Sequence, residues 1–408
     1  VPGTPSTPTT YTELLAHREF RGLWASFAAL VVGGSLGSLA LATLVQAQTG
    51  SPLLTALSLF GPTLANVLGA STAMSLADSA RPRRLLVRLQ LLVALLVLAQ
   101  ALPIGPVAVR LGLIVLVGLL MSVAAGVRFG LVSEVVGDEH YATARSLMNV
   151  ATGAMQVVGF ASAAVLLTWF TPRQLFVVDA VLVAVSAAVV GRTVREHSAR
   201  PSPRPSLAQT VRTNDWLLRQ RRLRPLLLCL WLPNGLVVGC EALFVPYAGD
   251  RAGVLFVAGA AGMLAGDLAT GRLVSREGRA RLSPWLRALL AAPFLVFALH
   301  PGVPLAAALV ALATVGYSGT LALQEQLLRL TPVAVRGQVQ GVEGAGRMSL
   351  QGVSAVLAGA VAEVLPAGTT MTLLAGASLL VTLLSWRAVR RAFDPDLDGP
   401  GALTPAAR

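Results

Sequence analysis

The stretch Gly271–Leu282, GRLVSREGRARL, stands between two long apolar runs, and Ser75–Leu86, SLADSARPRRLL, stands between two others. Aligning Asp78 with Ser275 brings Arg84 onto Arg281, an offset of 197 residues. A second pair agrees: Ala142–Gly159, ATARSLMNVATGAMQVVG, matches Val335–Gly352, VRGQVQGVEGAGRMSLQG, at an offset of 193. Each stretch is a short polar loop leading into an apolar helix, in the same relative place within its half of the chain. Two halves related by duplication are the simplest account.

Working outward, twelve apolar runs of membrane-spanning length are bounded by Gly, Pro or Arg clusters. The first six cover 22–45, 52–77, 85–102, 107–131, 143–170 and 174–191. The second six cover 225–248, 252–274, 284–300, 303–328, 337–361 and 368–389. The expected fold is an all-α integral membrane protein with twelve transmembrane helices in two six-helix bundles. The expected domains are 1–191 and 225–408, joined by a polar, Pro-rich linker at 192–224 and followed by a disordered tail within the second half.

Composition agrees. Of 408 residues, 55% are hydrophobic and 12% charged, against about 25% charged in a soluble domain. All 32 cationic residues are arginine. Without lysine there is no Walker-type phosphate loop and no Schiff base, so ATP-driven transport within this chain and several enzyme classes are excluded.

The arginines also orient the chain, since positive charge in short loops is held on the cytoplasmic side. Arg18 and Arg21, Arg81, Arg83 and Arg84, the linker arginines, Arg272, Arg276, Arg279 and Arg281, Arg336, and Arg387, Arg390 and Arg391 fall on one side of an even-numbered bundle. Both termini and the linker are therefore expected to be cytoplasmic, in a multi-pass plasma-membrane protein. No early apolar leader precedes the first span, which is expected to act as the targeting signal. The net charge of +13 is accounted for by topology and anionic lipid heads, with no nucleic-acid partner.

With twelve spans and the two loops quoted above, the chain resembles the major facilitator superfamily from about residue 17 to 391. The family's loop after the second helix reads roughly GxLaDRxGRR. Gly271, Leu273, Arg276, Gly278 and Arg279 match it, with Ser275 in place of the acid. The first copy keeps the acid, Asp78, with Arg83 and Arg84, but has Met74, Ser79 and Arg81 at other motif positions. EFRGLW (Glu19–Trp24) and RFGLVSEVVGDEHYATARSLMNV (Arg128–Val150) look like the actinobacterial branch of drug-efflux-like members. The resemblance implies a gate: Asp78 and the loop arginines lock one state of the carrier and part in the other. The plainer alternative is a solvated, topogenic charge cluster. Two departures leave the transport mode open. The fifth helix reads Gly159-Phe160 where antiporters have GP, and Ile114 stands where the fourth helix of such members has arginine.

Ionisable residues inside the membrane are costly and call for a partner or a role. Glu241 lies about 24 Å from the start of the seventh span, at roughly 1.5 Å per residue. It is either a cavity carboxylate that titrates or holds a cationic substrate, or a structural acid near Arg251. Asp267 is either a second coupling carboxylate or a partner for Arg272 and the gate arginines. Arg128 favours an anionic ligand if it faces a cavity unpaired. Glu343 and Arg347 are spaced to pair along one helix face, as are Glu325 and Arg329. Asp179 is expected at the periphery near Arg173. Asn66, Asn149 and Gln156 either line the cavity or bridge helices. Gly33xxxGly37 and Gly262xxxGly266 permit close helix approach, and Pro62, Pro246 and Pro293 are candidate kinks.

The leading expectation is secondary active transport by alternating access: proton-coupled efflux, as an antiporter, of a small amphipathic drug or secondary metabolite, the activity that underlies antibiotic resistance. The alternative is an uptake or facilitated-diffusion carrier for a metabolite. A membrane-embedded enzyme or receptor is the remote third. His17, His140, His197 and His300 are dispersed, with no metal-ligand spacing. Accordingly no enzyme activity, cofactor or metal is expected, and the chain is expected to work as a monomer.

Overall fold

The computed structural model describes residues 11–72, 81–103, 105–196, 214–215, 217–220, 222–332 and 336–393. Among these the chain is helical, with no strand. After a short helix, Tyr11–Ala16, come α1 (Arg18–Thr49), α2 (Pro52–Thr72) and α3 (Pro82–Ala99). One helical run, Val107–Leu166, is broken at Gly137, whose φ of 74° lies in the left-handed region. It divides into α4 (Val107–Gly137) and α5 (Glu139–Leu166). Glycine suits that break because a Cβ would be strained there. Next are α6 (Pro172–Thr193), α7 (Leu223–Glu241), the short Phe244–Ala248, and α8 (Ala252–Leu273). The helix α9 (Arg276–Ala291) continues as a 3₁₀ stretch, Ala292–Leu299, at Pro293. The tenth, α10, runs from Val303 to Arg329 with a 3₁₀ turn at Gly316–Gly319, and α11 (Arg336–Ala362) and α12 (Ala367–Ala392) complete the set.

Eight described stretches are long and apolar enough to cross a membrane, and one of them, Leu223–Leu273, contains both α7 and α8. The remaining helices miss that measure for local reasons. In α2 the described apolar part is Pro52–Ala65. The 18-residue α3 carries Arg83, Arg84 and Arg88, and α11 carries Arg336, Glu343 and Arg347. Leu95, Val181 and Leu384, on α3, α6 and α12, are 62%, 55% and 74% exposed. Apolar side chains on an outer face are what a hydrocarbon solvent asks for, with backbone polar groups satisfied inside each helix.

Two compact units form: residues 1–41 with 65–201, and residues 42–64 with 202–408. In the first, Phe20, Leu23, Leu86, Leu131, Met148 and Val190 make the core. The helices α1 and α6 run antiparallel, Gly22 against Thr193 and Ser26 against Ser186, with Oγ···Oγ 2.6 Å in the latter pair. Gln90 of α3 donates to both serines, at 3.3 and 3.1 Å. Gly159 of α5 lets the backbone of α1 approach: a Cβ there would lie 2.8 Å from the Val32 carbonyl oxygen. The fully buried Arg110 staples the α3–α4 loop, donating to the Gln100 and Leu102 carbonyls at 2.6 and 3.0 Å.

In the second unit, Leu226, Leu230, Leu323, Leu327 and Val389 belong to the core. The helices α7 and α11 run parallel at a constant register of 115 residues, with Trp231 on Gly346, Gly235 on Leu350 and Gly239 on Ser354. Gly262 and Gly266 of α8 face Ala311 and Val315 of α10, again at a constant offset, 49 residues. Small residues at such seams replace the hydrophobic drive that is missing in lipid. Residues 42–64 join this unit through α11: Gly359 packs on Leu53 and Ala56, and Gly352 on Leu64. The Glu363 carboxylate accepts from Ser51 Oγ at 2.5 Å and from the Leu53 N–H at 3.1 Å. It thereby caps the start of α2 together with Ser51, whose Oγ accepts from the Leu54 N–H at 3.1 Å.

Candidate functional site

In the second unit, the parallel α7–α11 seam with α10 beside it brings together Asn234, Glu241, Tyr317, Glu343, Arg347 and Gln351. The Tyr317 hydroxyl, on the 3₁₀ turn of α10, donates to Glu241 Oε1 at 2.9 Å. At that turn Gly316 and Gly319 lie directly against α9 at Ser283, Leu286 and Leu290. Tyr317 is buried and Glu241 half-buried. Glu241 thus has a hydroxyl partner from α10, and no ion pair to Arg251 is among those of the described residues. One face of α11 carries Glu343 and Arg347, joined by an Nε–Oε1 bond of 3.1 Å. Glu343 is 7% exposed. Its backbone carbonyl accepts from the Trp231 indole at 2.9 Å, and Gln351 Nε2 donates to Asn234 Oδ1 at 3.3 Å. A hydroxyl-held carboxylate, a guanidinium–carboxylate pair and two amides on three adjoining helices can bind a polar group and exchange a proton with it.

The stretch Gly271–Arg279, which joins the end of α8 to the first turn of α9 through Val274 and Ser275, is organised by Ser275. Standing where the family pattern has an acid, its hydroxyl caps α9 by accepting from the Gly278 N–H at 3.2 Å. Arg279 donates to Glu325 Oε1 at 2.7 Å, and Arg276 lies 3.9 Å from Oε2. Glu325 therefore turns to the loop arginines, where the helical spacing predicts Arg329. A shallow pocket of about 270 Å³ opens here, with Arg276, Glu277, Glu325, Gln326, Arg329 and Phe393 among its walls. Asp267 is exposed on α8, and no ion pair to Arg272 or to the loop arginines is among those of the described residues.

In the first unit, Arg128 of α4 is 2% exposed, with its guanidinium 5.5 Å from the centre of the Phe27 ring. Its Nε and Nη2 have no hydrogen-bond acceptor among the described residues. Cation–π contact is what the fold supplies to this charge. On α5, Gln156 is half-buried and Asn149 exposed. Asp78 lies outside the described residues, as does the side chain of Asn66, whose backbone is in α2. The loop arginines of this half, Arg83 and Arg84, lie 4.0 and 3.5 Å from Glu196, and Arg83 also donates to the Gly191 carbonyl. Asp179 is not paired with Arg173; it enters the α1–α6 seam at Gly33 and Gly37. Arg287 of α9, 2% exposed and donating to Ser385 Oγ at 3.4 Å, has no counterpart among the sequence expectations. A lone arginine inside the ninth apolar run was the available signal. Among the described residues no cluster of His, Cys, Asp or Glu could hold a metal ion.

A sequence profile of the Major Facilitator Superfamily matches residues 23–251. No curated protein matches the chain in a sequence search. Among solved structures, a point mutant of the nucleoside transporter NupG superposes with a TM-score of 0.70 at 12% identity, over 91% of this chain and 99% of its own. A POT family transporter in complex with 5-aminolevulinic acid gives 0.73 at 9% identity, over 95% and 98%. A point mutant of the peptide transporter POT gives 0.67 at 12%, over 91% and 94%.

Proposed function

The chain belongs to the major facilitator superfamily and is a multi-pass secondary transporter, not an enzyme; from that premise we propose that it couples proton entry to the efflux of a small amphipathic molecule. The observation that carries this reading is the Tyr317–Glu241 bond. A half-buried carboxylate with a hydroxyl partner and no ion pair among the described residues can take a proton or a cationic group, and it releases either when the partner moves. Glu241 is the coupling carboxylate in this reading, with Asp267 as its second. Glu343 with Arg347, together with Asn66, Asn149 and Gln156, contributes to the substrate cavity. Alternating access between the halves 1–191 and 225–408, linked by 192–224, moves the substrate. The loop residues Gly271, Arg276, Gly278 and Arg279, and Asp78, Arg83 and Arg84 in the first half, form its gate.

The protein is a monomer in the plasma membrane, with termini and linker cytoplasmic and the cytoplasmic arginines outside the gate on lipid headgroups. Its substrate is a drug or secondary metabolite of the drug-efflux-like branch, and the resulting phenotype is antibiotic resistance. The test is flux of ethidium in proteoliposomes holding the full chain under an imposed pH gradient. Ethidium movement that follows the gradient and is lost in Glu241→Gln supports the reading. Flux unchanged on neutralising Glu241 and Asp267 together removes both from coupling.

A second reading, uptake or facilitated diffusion of an anionic metabolite, is favoured by one observation: the buried Arg128, whose Nε and Nη2 lack acceptors among the described residues. Similarity to a nucleoside transporter, to a peptide transporter and to a POT family transporter in complex with 5-aminolevulinic acid is compatible with it. Loss of growth of a deletion strain on one nutrient, without hypersensitivity to toxic compounds, would favour this reading over efflux.

A further inference from the structure

The α1–α6 seam holds an ionisable side chain that the transport reading does not use. The carboxyl group of Asp179 fills the notch left by two glycines one helical turn apart: a Cβ on Gly33 would overlap Oδ1, and one on Gly37 would overlap Oδ2. Asp179 is 5% exposed, and Oδ1 is buried with no hydrogen-bond donor among the described residues.

The packed elements supply no counter-charge within ion-pair distance among the described residues. From Gly22 to Thr49, α1 has no charged residue, and α6 has only Arg173 and Arg192 besides Asp179. The arginines of α3, Arg83, Arg84 and Arg88, lie toward the far end of the seam, where Arg83 meets Gly191. The helix α5, which meets α1 at Gly159, is uncharged from Ser146 to Leu166. On α4, Arg110 is engaged by the carbonyls of Gln100 and Leu102, and Arg128 lies over Phe27. Glu134, the remaining charged side chain of α4, is an acid and offers no counter-charge.

We propose that Asp179 is a proton-binding site, its carboxyl group seated in the Gly33–Gly37 notch as the neutral acid. The proton supplies what the seam does not: it removes the charge that two closely packed helices cannot solvate. The site is distinct from Glu241 and does not rest on the coupling reading.

The test is infrared difference spectroscopy of the full chain in lipid nanodiscs at neutral pH, wild type minus Asp179→Asn. The expected result is loss of one protonated-carboxyl C=O band, with the same loss in a Glu241→Gln background, so that failure of the coupling reading leaves this outcome untouched. Loss of carboxylate stretching bands instead would overturn the proposal. If Asp179→Asn does not fold, wild type carrying ¹³C-carboxyl aspartate is compared with Gly33→Ala, whose added methyl displaces Oδ1. An isotope-shifted aspartic-acid band that moves in Gly33→Ala supports the proposal, and the absence of any such band refutes it.

Discussion

At matching positions of the repeat, the two units bury different chemistry. Gln90 of α3 and Arg287 of α9 are 197 residues apart, the offset that relates the two arginine loops. Each reaches a serine on the last helix of its half, Gln90 to Ser186 at 3.1 Å and Arg287 to Ser385 at 3.4 Å. In the first unit Ser26 closes the group into a knot of neutral side chains. In the second, a cation occupies the place with its Nε buried and without an acceptor among the described residues. The reach of the side chain and the helix that answers it are the same at the two positions, while the charge differs. The loops diverge likewise: Glu196 after α6 answers Arg83 and Arg84, whereas Glu325 within α10 answers Arg276 and Arg279.

Gln90→Arg puts a longer, charged side chain where exposure is 0%, and the loss is expected to be about 3 kcal/mol or more. A collapse of the monodisperse fraction in detergent and a lowered melting temperature would report it; an unaltered melt would mean that the first unit can open room as the second has. Glu325→Gln weakens the 2.7 Å bond to Arg279, whose side chain is 18% exposed. About 1–2 kcal/mol of stability is expected to go, with greater labelling of a cysteine introduced at Ala322. Glu196→Gln removes longer contacts to more exposed arginines, so less than about 1 kcal/mol is expected. Equal losses at Glu325 and Glu196 would erase the asymmetry between the loops. Arg287→Gln, which restores the neutral chemistry of the first half, is expected to change stability by less than about 1 kcal/mol, since the cation leaves an unsatisfied N–H behind it. A loss of several kcal/mol on melting would assign Arg287 a partner of greater weight than Ser385.

The apolar runs were legible because a bilayer demands long uninterrupted ones, and the span ends match within a few residues for most helices. The start of α9 was not, because its first turns, REGRARL, are polar; the Ser275 cap begins the helix at Arg276. The polar stretch after residue 131 reads as a loop, yet only Gly137 departs from helix there. At the sites, local spacing predicts Glu343 with Arg347, and the two are bonded. The same logic fails for Glu325, because a loop arginine reaches it from another element. The Gly33xxxGly37 spacing announces a notch but not its occupant; Asp179 is remote in sequence, and only the antiparallel register of α1 and α6 brings it there.

The cap that Glu363 places on α2 has a consequence for biosynthesis. The first turn of α2 takes one of its acceptors from a residue 310 positions further along the chain than Leu53. During synthesis from the N-terminus, that N–H has no Glu363 to donate to until α11 has been made. The first turn of α2 is thus completed by an acceptor that arrives late, and α11 closes a corner begun near the start of synthesis.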